Sequence, residues 1–125
     1  MTANQVLSDI RLASEGIGED RLRPVRDEHE IAAGILPCRI AGVIMAAQVP
    51  RQAELLLFAS RLQARGWKLD GTLDAEGYAL TSGEWDIFLG AGPVPEEFRE
   101  HAGTNKGVIA VSGQGLCRFP SGRPR

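Results

Sequence analysis

Val6, Ile10, Ala13 and Ile17 recur at helical spacing from about residue 3, which predicts an amphipathic helix stopped by Gly16 and Gly18. Residues 19–30 are almost wholly charged and carry Pro24, so they read as a solvated connection, with a short helix able to open at Pro24. Residues 38–47, CRIAGVIMAA, are apolar and β-branched after Arg39, the composition of a central strand covered on both faces. Pro50 then opens a helix whose Leu55, Leu56, Leu57, Phe58, Ala59 and Leu62 predict extensive burial, while Glu54, Arg61 and Arg65 share one narrow sector. Gly66 stands where a helix-terminating glycine belongs.

The next pattern is the clearest. Trp67, Leu69 and Leu73 alternate with Lys68, Asp70, Thr72 and Asp74, the period of two that sends one set inward and the other outward. Ala75-Glu76-Gly77 and Ser82-Gly83 supply tight turns to two further strands, so residues 67–90 predict a three-strand antiparallel meander. Trp67, Leu69, Leu73, Leu80, Trp85, Ile87 and Leu89 then fall on one face; Asp70, Asp74, Glu84 and Asp86, with Lys68, Thr72 and Thr81, fall on the other. Pro95 can start a short helix through His101, with Val94 stapling onto Phe98 and Gly103 ending it. Residues 107–112 and 116–119 read as a final hairpin turning across Gly113-Gln114-Gly115.

The expected fold is therefore α+β, in the order α-β-α-β-β-β-α-β-β, with a mostly antiparallel sheet and the helices mainly on one face. Residues 1–120 form one domain, and residues 121–125 are expected to fray.

Composition narrows the class rather than the function. Apolar residues make up 43% and charged residues 24%, as in ordinary globular domains. Arg39 and Arg51 bracket the best apolar run, so no membrane-spanning segment is expected, and the start of the chain lacks the basic flank and apolar run of a leader. A cytoplasmic protein follows, with Cys38 and Cys117 read chiefly as buried thiols and a disulfide or redox pair as the alternative. The net charge is −2, but residues 66–100 hold eight acids against two bases, whereas residues 102–125 hold four bases and no acid.

Candidate chemistry is sparse. The connection after the central strand, Ala46-Ala47-Gln48-Val49-Pro50, has neither the glycines nor the Lys-Ser/Thr pair of a phosphate loop. Ser112 lacks the preceding glycine and following helix of a nucleophile elbow. Asp27, Glu28, His29 and Glu30 spread too widely along a helix to converge on a metal, and His101 lies far along the chain. No metal or cofactor is expected. Arg21, Arg23 and Arg26 could track a phosphate backbone, but Glu19, Asp20, Asp27 and Glu28 enclose them and the pI is near 5.7, so nucleic acid is a disfavoured partner.

The remaining reading is a small accessory module without catalytic activity. It would recognise another protein through the acidic face bearing Asp70, Asp74, Glu84 and Asp86, with Arg21, Arg23 and Arg26 as a second contact region. The alternative is a small-molecule-binding or enzymatic domain with a pocket between the sheet and the helix at residues 50–65, near Trp67, Tyr78, Trp85 and His101. An edge strand at residues 116–119 would also allow a homodimer.

Overall fold

The first helix, α1 (Ala3–Ala13), starts at a capping box: the Thr2 hydroxyl accepts from the Gln5 N–H, and the Gln5 side chain accepts from the Thr2 N–H. Helix α3 (Gln52–Ala64) ends in a Schellman motif, in which Trp67 N–H donates to Leu62 O at 3.1 Å and Gly66 N–H to Gln63 O at 3.0 Å. Gly66 takes the required positive φ of 100°. The helix therefore stops where glycine permits, and its last turn hands the chain directly to the sheet. A short helix, α2 (Glu28–Ala32), is capped by Asp27 and Glu30 in the same reciprocal way as α1.

The computed structural model describes residues 1–74 and 77–116, and only the backbone of Thr72, Leu73 and Asp74. Six strands, β1 (Glu19–Val25), β2 (Arg39–Ala46), β3 (Lys68–Asp74), β4 (Gly77–Ser82), β5 (Trp85–Pro93) and β6 (Gly107–Gln114), form one antiparallel sheet in the order β1-β2-β6-β5-β4-β3. The meander β3-β4-β5 is present as the alternation implies, and β2 is an interior strand. On the inner face, Ile40, Ile44, Tyr78, Leu80, Trp85, Ile87, Leu89, Ile109 and Val111 pack with Val6, Leu7 and Ile10 of α1 and Leu55, Phe58 and Leu62 of α3. Burying each such side chain contributes about 1.5–3 kcal/mol, so this layer carries most of the stability. A 3₁₀ helix (Glu96–His101) lies on the opposite face, where Phe98 and Val94 meet Val43, Met45 and Val108.

Polar bonds fix how the helices sit. Asp9 of α1 accepts from Arg65 Nε at 2.7 Å and from Trp67 Nε1 at 3.0 Å, tying α1 to the end of α3 and the entry to β3. Arg61 donates to the carbonyls of Ala13 and Glu15, satisfying acceptors that the end of α1 leaves open. The charged sector of α3 thus faces α1 rather than water alone. Leu56 and Leu57 remain 48% and 45% exposed, so this helix is less buried than its run of leucines implies.

Four expectations change. Residues 19–25 are an edge strand, not a connection, and Pro24 sits within it, where a missing N–H costs no ladder bond on an open edge. Only Leu22 of that strand is buried, which is why its pattern looked solvated. The chain does not turn at Gly113-Gln114-Gly115: β6 runs through Gln114, and Gly115 N–H still bonds Cys38 O at 2.7 Å. Residues 117–119 of the expected hairpin lie outside the described residues, as does the tail at 121–125. In β3 the register passes from Leu69↔Leu80 to Thr72↔Tyr78, a bulge at which Gly71 has φ 71°, so one uniform alternation does not run through the strand. Finally, Cys38 is disulfide-bonded rather than a thiol.

Two predictions follow from these features. Gly42 has φ 149°, and an added Cβ would meet the carbonyl of Arg21 across the β1–β2 pair. Gly42→Ala is expected to cost about 2–4 kcal/mol in urea unfolding, since backbone rather than a side-chain tip must yield. The chain has two cysteines, so iodoacetamide applied to the native monomer should add no group before reduction and two after it. Addition before reduction would show free thiols.

Candidate functional site

The outer face of the sheet is read most directly from its register. One row across the strands runs Val25, Arg39, Gln114, Asp86, Thr81, Lys68. The next runs Arg23, Ala41, Ser112, Phe88, Ala79, and the third Arg21, Val43, Ala110, Gly90, Gly77, Asp74. The 3₁₀ helix covers Val43 in the third row together with Met45 and Val108 beyond it. Beyond Val25 the first row is polar, with Arg39, Gln114 and Asp86 along the trough. Between these borders lies a trough floored by Ala41, Ala110, Ser112 and Gly90, from which Phe88 rises, 41% exposed.

Two depressions share Ala41 within this trough. One, of 260 Å³, lies between Arg39, Val25, Phe88 and Gln114; the other, of 530 Å³, is bounded by Arg21, Arg23, Pro95, Glu97 and Phe98. Small floor residues let a partner's backbone approach closely, and the apolar area lies open to water unless something covers it.

The electrostatics are set by a few pairs. Arg39 Nη2 donates to Glu30 Oε1, and that carboxylate, 1% exposed, also accepts the Asp27 N–H at the start of α2. Arg39 is thereby held over the sheet as a fixed border. Arg21 pairs with Glu19 at 3.2 Å, both well exposed, an arrangement worth about 0–1 kcal/mol. Among the described residues no carboxylate lies within ion-pair distance of Arg23.

The residues singled out in the sequence disperse differently from the expectation. Asp86 stands on the outer face beside Gln114 and Thr81. Asp70 is exposed on edge strand β3, Glu84 lies in the turn before β5, and Asp74 pairs at the opposite end of the sheet, with Gly77. The four acids are thus spread over a strand, an edge and a turn. Arg21 and Arg23 do come together, on alternate outward positions of β1, whereas Arg26 lies beyond the strand and donates to Ile35 O.

The proposed pocket residues do not share a pocket. Trp67, Tyr78 and Trp85 are core residues under α1 and α3, with Trp85 Nε1 donating to Met1 O at 2.8 Å, while His101 is exposed on the 3₁₀ helix of the opposite face. The sheet lies between the two groups. Their apolar bulk fills the helix-covered core, but Trp85 also lines a 400 Å³ depression with Met1, Leu36 and Leu116, and a 450 Å³ depression bounded by Pro50, Leu55 and Ala91 opens between α3 and β5. His29 and His101 occupy separate helices, and among the described residues no three His, Cys, Asp or Glu side chains gather in metal-binding range.

Phe88, Ala41, Ala110 and Ser112 escaped sequence reasoning. Phe88 carried a usable signal: it has the opposite parity from Trp85, Ile87 and Leu89, so a strand with a buried face should send it outward. The small residues carried none, because only strand order brings 41, 110 and 112 side by side. Comparison with protein-family models, curated proteins and solved structures returned no match to this chain.

The Arg39–Glu30 pair offers a direct check on the border of the trough. Arg39→Leu withdraws a charge-assisted bond from a buried carboxylate and is expected to cost about 1–3 kcal/mol in chemical denaturation. Arg39→Lys should recover part of that loss. Unchanged stability in both variants would remove the pair from the account of why β2 and α2 stay together.

Proposed function

We propose that this chain is a recognition module without catalytic activity, taking a protein partner on the open half of its outer sheet face. The observation that carries the reading is Phe88, 41% exposed at the centre of an interior strand and surrounded by Ala41, Ala79, Ser112 and Ala110. An aromatic anchor on a floor of small side chains, bordered by Arg39, Gln114 and Asp86, has the apolar centre and polar rim of a protein-binding surface. Of the expected contact residues, Asp86 from the acidic set and Arg21 and Arg23 from the basic set border this face.

A mixed border of this kind supports a protein partner over nucleic acid, which would favour an uninterrupted run of cations. None of the described helices is long and apolar enough to cross a membrane. The disulfide at Cys38 supports an oxidising setting over the cytoplasmic one expected when its thiol was taken as free.

The test is site-specific photo-crosslinking in cells that make the protein. A benzophenone side chain at Ala110, on the trough floor, is expected to give a covalent adduct with another protein, and one at Ser60, exposed on α3, is not. No adduct from Ala110, or equal adducts from both positions, overturns the reading.

A further inference from the structure

We infer that the trough receives a short amphipathic helix, oriented so that its carboxylates meet Arg21 and Arg23 on β1 and its apolar stripe lies on Ala110 and Phe88. This rests on the recognition reading above and adds the chemistry and direction of the partner.

The shape argues for a helix. The trough runs across the strands, so an extended segment lying along it could not continue their hydrogen-bond ladder. The polar row and the third row are four residues apart along β1, β2, β6 and β5, about 13 Å at the usual rise, which matches a helix diameter of about 10–12 Å. From β1 to β5 the trough spans three strand spacings, about 14 Å, or about ten residues of helix. A floor of alanine, serine and glycine suits close approach, with Phe88 inserting between the partner's apolar side chains.

Charge sets the direction. At the β1 end, Arg23 faces the 530 Å³ depression with no carboxylate paired to it among the described residues, and Arg21 is engaged by the exposed Glu19 and by the Asp20 carbonyl. A partner carboxylate can displace Glu19 at little cost, because an exposed pair of this kind holds by about 0–1 kcal/mol. Toward β5 the border carries Asp86, which repels a second acid. Glu97 of the 3₁₀ helix lines the same depression as Arg21 and Arg23, so an acid entering there is favoured on the β1 wall and disfavoured against the 3₁₀ helix. The fitting ligand is therefore acidic at one end, apolar along one stripe, and neutral or basic at the other end.

The probe is a display library of 14-residue helix-forming peptides, randomised on one face and selected against the whole oxidised protein. Enriched peptides are expected to carry Leu, Ile or Phe at i, i+3, i+4 and i+7 with Asp or Glu grouped at one end. Their affinity should fall at least tenfold in Arg23→Glu and in Ser112→Trp, which fills the floor. Both sites are exposed. Thermal unfolding of each variant, with Ala110→Trp as a second floor-filling change, separates lost binding from lost folding. Peptides blocked by Ser112→Trp but lacking acids, or indifferent to Arg23→Glu, overturn the proposed chemistry while leaving the docking face intact. Peptides indifferent to both tryptophan variants, or no enrichment at all, overturn the helix proposal; the Ala110 crosslink then decides the docking face by itself.

Discussion

Six strands spaced at about 4.8 Å span about 24 Å, and two helices of about 10 Å diameter nearly cover one side of such a sheet. That is how this chain spends its helices: α1 lies against β1 and β2, and α3 lies against β3, β4 and β5. Leu7, Ile10, Phe58, Leu62, Trp67, Leu80 and Ile87 fill the layer between. With α1 and α3 committed, the other face is covered, among the described residues, by a six-residue 3₁₀ helix seated over Val43, Met45 and Val108. The open trough beside that helix is a consequence of this unequal covering.

The pairing of α1 with α3 depends on a small set of polar contacts. Asp9 receives both Arg65 and Trp67, and Arg61 reaches the carbonyls at the end of α1. Because Trp67 also closes the Schellman motif, one residue joins helix termination, helix pairing and strand entry. The trough side is held by a parallel device, the buried Glu30 that joins α2 to Arg39 on β2. Both devices place charge where it organises backbone, and neither contributes a reactive group.

Much of the fold was legible because its cues are local. The helix at Val6 and Ile10, the stop at Gly66, the alternation around Trp85 and Ile87, and the staple of Val94 on Phe98 each rest on residues within a few positions of one another. Residues 19–25 were misread because an edge strand on a one-sided sheet buries only Leu22, and a single apolar residue among charges has no period. Gly113 looked like a turn, whereas it is a flat place in β6 where a side chain would strike Ile87 and Ile40.

The candidate site was legible only in fragments. Arg21 and Arg23 were visible as part of a contact region placed in a connection, and Phe88 had the parity of an exposed residue. The sequence by itself determined which residues belong to helices and which alternate along strands, since those depend on spacing in one segment. Strand order belonged to the tertiary structure alone. By setting β6 between β2 and β5, the fold aligned Ala41, Ser112 and Phe88 in one row and put Arg39 and Asp86 on either side of Gln114. Hydrogen-bond pairing between strands far apart in the chain leaves no periodic trace in any one of them, so the surface that carries the proposed function exists only after folding.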